Sequence, residues 1–187
     1  MKHVRLIYLF ALVLTLFVSC SNNVVELIPV ALEGKWGYIN SRGEYAITPR
    51  FYSAKYFHEG LACVTTIEGN VGYIDEKANF VVKPEYKDGS NFSEGRAVVV
   101  KLGGHPACIN GRGGVVFTLS YARKLFSFHE DLAVFQDSSK KYGYVNPHGQ
   151  VVIAPIYEDA LSFSEDLAPV KIGGKWGYID KTGKSEY

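Results

Sequence analysis

Lys35-Trp36-Gly37-Tyr38-Ile39-Asn40 returns along this chain as Val71-Gly72-Tyr73-Ile74-Asp75, Ala107-Cys108-Ile109-Asn110, Tyr142-Gly143-Tyr144-Val145-Asn146 and Lys175-Trp176-Gly177-Tyr178-Ile179-Asp180. The glycine position falls at 37, 72, 107 (an Ala), 143 and 177, in steps of 35, 35, 36 and 34 residues. A fixed period of this length marks one supersecondary unit repeated in tandem. Such arrays work through extended surfaces assembled from many units.

Other positions recur in phase. Twelve residues after the glycine position stands Pro49, Pro84, Leu119 or Pro155, and two further on Phe51, Tyr86, Tyr121 or Tyr157. Then come Phe57, Phe92, Phe128 and Phe163, each followed by a glutamate: Glu59, Glu94, Glu130 and Glu165. Between the first two strands of each unit and the third, Asn40, Asp75, Asn110, Asn146 and Asp180 open a turn whose fourth residue is Gly in every unit but one, where Ala78 stands. An Asx side chain can bond the backbone two residues on, and a type I turn closed by a left-handed residue calls for Gly there. At the exception, Asn79 is expected to take the left-handed role. The strand after the turn alternates, with Phe80, Val82, Pro84 and Tyr86 on one face and Val81, Lys83 and Glu85 on the other. Glycine in the preceding strand admits a close neighbour, and the proline marks where pairing stops.

The expectation is an all-β fold, a tandem array of three-stranded β-meanders of roughly 35 residues. Leu27–Trp36 matches Leu167–Trp176 position for position, so the body begins and ends on the same element, as four units and a partial fifth. Duplicated termini favour an open, solenoid-like array. A closed propeller- or barrel-like ring is the alternative.

The pattern resembles the bacterial WG repeat family over residues 27–187, with Trp36 and Trp176 keeping the Trp-Gly signature and Val71 and Tyr142 replacing the Trp. The third unit departs most, with Pro106, Ala107 and Cys108 at the Trp, Gly and Tyr positions. The resemblance implies a β-repeat body of an exported protein, without catalytic residues to transfer.

The first 19 residues read as an address. Lys2, His3 and Arg5 precede an apolar run from Leu6 to Val18, broken only by Thr15. As a helix this run spans about 20 Å, short of the ~30 Å hydrocarbon core, which favours a signal peptide over a membrane span. Its end, Leu16-Phe17-Val18-Ser19-Cys20, resembles the lipobox of bacterial lipoproteins, with Phe17 where such boxes usually carry Leu. The resemblance implies that residues 1–19 are removed and that Cys20 is lipidated, with residues 20–26 as a tether. Two or three acyl chains anchor stably where one does not. Ser21 at the following position favours the outer over the inner membrane of a bacterial envelope.

Lys2 and Arg5 leave with residues 1–19, so 18 of the 20 basic residues remain against 19 acidic ones. A nearly neutral body gives no charge argument for nucleic acid. Cys63 and Cys108 fall in predicted strands and read as buried single thiols rather than a disulfide.

No nucleophile elbow, zinc-protease motif, phosphate loop or dinucleotide fingerprint is present. His58 and His129 share one repeat position with Ser93 and Ser164, which points to a turn role, and no set of ligands has metal spacing. The four glutamates read as turn or inter-repeat contacts, with Lys35, Lys141 and Lys175 as candidate counter-charges. No cofactor is expected. Residues outside the consensus are the candidates for recognition: Tyr56, Arg112, Arg123, Lys124 and Lys140. The expected function is a lipid-anchored, non-enzymatic scaffold that binds a protein through its repeat surface. A carbohydrate- or peptidoglycan-binding module is the alternative, and an accessory hydrolase a third. The carbohydrate reading requires the consensus aromatic rings to be exposed.

Overall fold

A computed structural model describes residues 26–185, all strand, turn and loop. The signal peptide expected over 1–19, Cys20 and the tether up to residue 25 lie outside the described residues. Eighteen strands form five antiparallel sheets in chain order. Sheet one holds β1 (Ile28–Leu32), β2 (Lys35–Ile39) and β3 (Tyr45–Phe51). Sheet two holds β4 (Ser53–His58), β5 (Leu61–Thr65), β6 (Val71–Ile74) and β7 (Phe80–Tyr86). Sheet three is β8 (Asp88–Gly89), β9 (Arg96–Val100), β10 (Pro106–Asn110) and β11 (Val115–Thr118). Sheet four is β12 (Ala122–His129), β13 (Leu132–Asp137), β14 (Tyr142–Val145) and β15 (Val151–Tyr157). Sheet five is β16 (Asp159–Ala160), β17 (Leu167–Ile172) and β18 (Lys175–Asp180).

The three expected strands per unit are present, and the segment expected as a loop adds a first strand to sheets two to five, six and eight residues long in sheets two and four and two residues long in sheets three and five. Among the described residues no strand of the first sheet pairs with one of the last, and no sheet closes on itself.

All five turns expected from sequence form alike. The Oδ1 of Asn40, Asp75, Asn110, Asn146 or Asp180 accepts the amides two and four residues on, at 2.8–3.1 Å. Four glycines take the left-handed position, and in sheet two Ala78 takes it itself, at φ 64°. The expectation that Asn79 would do so is corrected: the Asp75 carboxylate and the Asp75–Asn79 backbone pair fix the register one residue earlier. Alanine there carries a left-handed penalty of about 1 kcal/mol. Ala78→Gly is therefore expected to stabilise the fold by about 0.5 kcal/mol, net of the entropy glycine adds to the unfolded chain, read as a raised Tm.

A second turn recurs between the first and second strands of sheets two to five. Glu59-Gly60, Glu94-Gly95, Glu130-Asp131 and Glu165-Asp166 all have positive φ at both residues, the two-residue type I′ hairpin. His58 and His129 sit just before these turns, paired with Leu61 and Leu132 and exposed.

The consensus glycine has a defined mate. A Cβ on Gly37 would lie 2.4 Å from the Ile47 carbonyl oxygen and 2.7 Å from Pro49 N; on Gly72 and Gly143 it would meet Val82 O at 2.7 Å and Ile153 O at 2.5 Å. In each case the proline strand bulges across the glycine, so that Trp36 pairs with Phe51 while Tyr38 pairs with Ile47. The third unit has lost glycine and proline together, and there Ala107 and Cys108 pair in step with Thr118 and Phe117.

Four cores lie between the five sheets. Tyr38, Ile47 and Phe51 of sheet one meet Ala62, Val64 and Ile74 of sheet two. Tyr73, Val82 and Tyr86 meet Phe92, Ala97, Val99 and Ile109. Cys108 and Leu119 meet Leu125, Phe128, Ala133 and Phe135. Tyr144, Ile153 and Tyr157 meet Phe163, Ala168, Val170 and Ile179. Each face is apolar because a neighbouring sheet covers it. Cys63 and Cys108 are free thiols in two different cores.

Candidate interaction face

Three devices join successive sheets. The first is a ring pair: Tyr38 packs on Phe57, Tyr73 on Phe92 and Tyr144 on Phe163, with centroids 4.9–5.0 Å apart and planes tilted by 58–74°. The second is a hydrogen bond from the same tyrosine hydroxyl to a carbonyl 17 residues on: Lys55, Ser90 and Leu161, at 2.8–2.9 Å. The third is a carboxylate clasp. Glu59 accepts the Gly95 amide at 2.9 Å, Glu94 accepts those of Glu130 and Asp131 at 2.5 and 2.9 Å, and Glu130 accepts those of Glu165 and Asp166 at 2.6 and 3.0 Å. Each type I′ turn thus holds the amides of the next.

Backbone amides, not the expected lysines, compensate most of this glutamate row. Among the described residues the cation that joins it is Lys181, whose Nζ lies 3.1 Å from Glu130 and 2.7 Å from Asp166. Burial would push the Glu130 carboxyl up, but Lys181 and the Asp166 and Glu165 amides outweigh it and hold it below the usual carboxylate range.

Burial raises the hydroxyls of Tyr38 and Tyr73 far above the phenol range, with Cys63 adding to both, and that of Tyr144 likewise, with Tyr157 adding. It also pushes the Cys108 thiol up to about 11 against the pull of Arg96. A group whose folded pKa is raised lends stability below its unfolded pKa and loses it as pH climbs. Stability is therefore expected to hold to about pH 9 and to fall steeply above about pH 10, where unfolded tyrosine ionises. Tyrosinate absorbance read against circular dichroism tests this: the three buried tyrosines should ionise only as the strands melt.

Sheet five carries the same strand face, and among the described residues no further sheet covers it. Trp176 is 51% exposed and Tyr178 46%, whereas Tyr38, Tyr73 and Tyr144 are fully buried. With Leu161, Pro169, Ile172, Lys175, Gly177 and Ser185 they line an open groove of about 740 Å³. A Cβ on Gly177 would meet nothing within 4 Å, and among the described residues no proline strand crosses it. At the end of the carboxylate row, Glu165 is exposed and clasps no turn amide among the described residues.

The residues singled out from sequence lie elsewhere. Tyr56 is exposed on β4, beside a 330 Å³ hollow with Leu27, Phe57 and Glu76. Arg112 occupies the β10–β11 turn, and Arg123 and Lys124 lie exposed on β12. Lys140, at φ 65° in the β13–β14 turn, offers its carbonyl to Gln136, the strand partner of Lys124. Arg123, Lys124 and Lys140 are thereby brought to one end of sheet four. Trp176 and Tyr178 are not among the residues singled out from sequence, which were sought off the consensus positions. Among the described residues no three His, Cys, Asp or Glu side chains gather as a metal site.

The family model described as WG containing repeat matches residues 36–66, 72–104 and 142–176, a little over half of the chain. The matches start at the consensus phrase of units one, two and four and pass over the degenerate phrase of unit three. No curated protein matches the chain. Among solved structures it is similar to Hsv2 of Kluyveromyces lactis, at 10% identity and a TM-score of 0.58, over 87% of this chain and 59% of that one. It is also similar to BamB of Moraxella catarrhalis, at 10% identity and a TM-score of 0.50, over 87% of this chain and 60% of that one. The chain spans about three fifths of the length of each, and the likeness is one of fold.

Proposed function

The chain belongs to the WG repeat family, and from that premise we propose that it is a lipid-anchored scaffold of the bacterial envelope that binds a protein partner through its repeat body, without catalysis. The observation that carries the reading is the open groove of sheet five. An apolar, aromatic patch rimmed by polar groups is the usual mark of a protein contact, and this face is the one that the molecule itself uses four times to bind a neighbouring sheet. Anchoring rests on the likeness of Leu16–Cys20 to a lipobox. The carbohydrate reading fares worse, because five consensus tyrosines of the first four units, Tyr38, Tyr73, Tyr86, Tyr144 and Tyr157, are buried.

Two measurements test the proposal. A photo-crosslinking amino acid at position 176, in the intact envelope, is expected to capture a protein, and the same group at exposed Val116 is not. Capture at both positions or at neither would remove the face from the account. Cys20→Ala is expected to abolish labelled-palmitate incorporation and to release the protein from the membrane fraction. Persistence of both would refute the anchor.

A further inference from the structure

We propose that a hollow in the third unit, between sheets two and three, binds a small aromatic carboxylate: one phenyl-sized ring on a short acidic chain. The hollow is lined from residues 86–118 and so belongs to the middle of the array, not to either end. Two fillers that other units supply are missing there. The first is a ring. Phe80, the strand partner of Ile74, stands edge-on against Phe51, with centroids 6.3 Å apart and planes at 88°. One unit on, Tyr86 takes the place of Phe51, and Val115, the partner of Ile109, stands where the phenylalanine would be. The second filler is the proline strand. In sheets one, two and four its backbone passes 2.4–2.7 Å from where a Cβ on the consensus glycine would lie. In sheet three Leu119 replaces the proline, Ala107 pairs in step with Thr118, and the space beside Ala107 stays open. The departures of the third unit thus gather around one hollow of about 320 Å³, lined by Tyr86, Lys101, His105, Ala107, Val115 and Thr118. That size is at the small end for ligand pockets, enough for one ring and a short chain.

The lining decides the class of ligand. Val115 leaves 56% of its surface exposed, an apolar patch that a ring would cover. The equivalent place beside Phe51 is filled by a phenyl ring, and an edge-on contact to Tyr86 repeats that packing. The rim is cationic. Lys101 Nζ lies 5.6 Å from the centroid of the Tyr86 ring, and His105 is exposed beside it. Glu85 takes one of the three donors of that ammonium, at 3.0 Å. Among the described residues no carboxylate lines the hollow. A ligand carboxylate can accept from Lys101 and from the His105 imidazole, which favours an anion over a neutral or cationic ring.

The test uses the full chain in detergent, with 3-phenylpropanoate as the probe and its amide as the uncharged control, followed by ligand-observed NMR. The acid is expected to bind saturably, and the amide about tenfold more weakly. Val115→Phe, which restores the ring of the preceding unit, should leave Tm at or above that of the parent and abolish saturable binding. It also controls for partition of the probe into the detergent. Lys101→Met, on an exposed side chain of the β9–β10 turn, should weaken the acid several-fold and leave the amide unchanged. Absence of saturable binding, equal binding of acid and amide, or unchanged binding by a folded Val115→Phe protein would overturn the proposal. Unchanged binding of the acid by Lys101→Met would overturn it independently. So would tighter binding of the tetrapeptide Gly-Gly-Gly-Phe than of the acid, which would put the C-terminal residue of a protein in the hollow.

Discussion

Gly72→Ala is expected to destabilise the fold by about 3 kcal/mol, while Gly177→Ala leaves stability within about 0.5 kcal/mol of the parent. The two glycines hold the same position of the repeat, so sequence alone gives no ground for different outcomes. The difference comes from the bulged proline strand. At Gly72 a new Cβ would sit 2.7 Å from Val82 O, 2.9 Å from Pro84 N and 3.0 Å from Pro84 Cα. These are backbone atoms held by the β6–β7 pairing, so relief requires the strand to move. At Gly177 the new methyl meets open space. The chain contains its own precedent, since Ala107 is accommodated where Leu119 has replaced the proline and the strands pair in step at that point. Urea unfolding of both variants measures this. Equal losses would mean that the glycine serves the strand itself and not the crossing.

Phe92→Ala is expected to cost about 4 kcal/mol, the usual range for an aromatic ring removed from a core. Phe92 is 3% exposed and lies edge-on against Tyr73, in the core between sheets two and three. Its loss leaves a void over a tyrosine whose hydroxyl is committed to the Ser90 carbonyl, so the site cannot collapse freely. Phe126→Ala, on the 42% exposed ring of β12, is expected to cost less than about 1 kcal/mol. Because each core belongs to one pair of sheets, Phe92→Ala should also loosen cooperation between the two halves of the array, seen as a lower m-value. A parallel shift of the curve with an unchanged m-value would show that the sheets unfold as one body regardless.

The period, the hairpin turns and the close approach at Gly37, Gly72 and Gly143 were all legible in the sequence, because each is written in residue types that recur in phase. The short first strands were not. Asp88–Gly89 and Asp159–Ala160 are two residues long and show no alternation, and their strand character comes only from pairing with Val99–Val100 and Val170–Lys171. Recurrence of Glu59, Glu94 and Glu130 was visible, but their partners are backbone amides one period away, which carry no side-chain signature. Ala78 in the left-handed position was hidden for a similar reason, since the Asp75 hydrogen bonds outweigh its local preference. The candidate face was the hardest to see. Tyr178 and Tyr73 are the same residue in the same phrase, and among the described residues a next sheet covers Tyr73 but not Tyr178.

Acrylamide quenching of two single-tryptophan forms, Trp36→Phe and Trp176→Phe, tests the central claim most directly. Trp36 is partly buried against the first inter-sheet core, whereas Trp176 is half exposed on the face of sheet five. The form that keeps Trp176 should be quenched several-fold more efficiently than the form that keeps Trp36. Equal shielding of both tryptophans would mean that the face of sheet five is already covered, and would contradict the account.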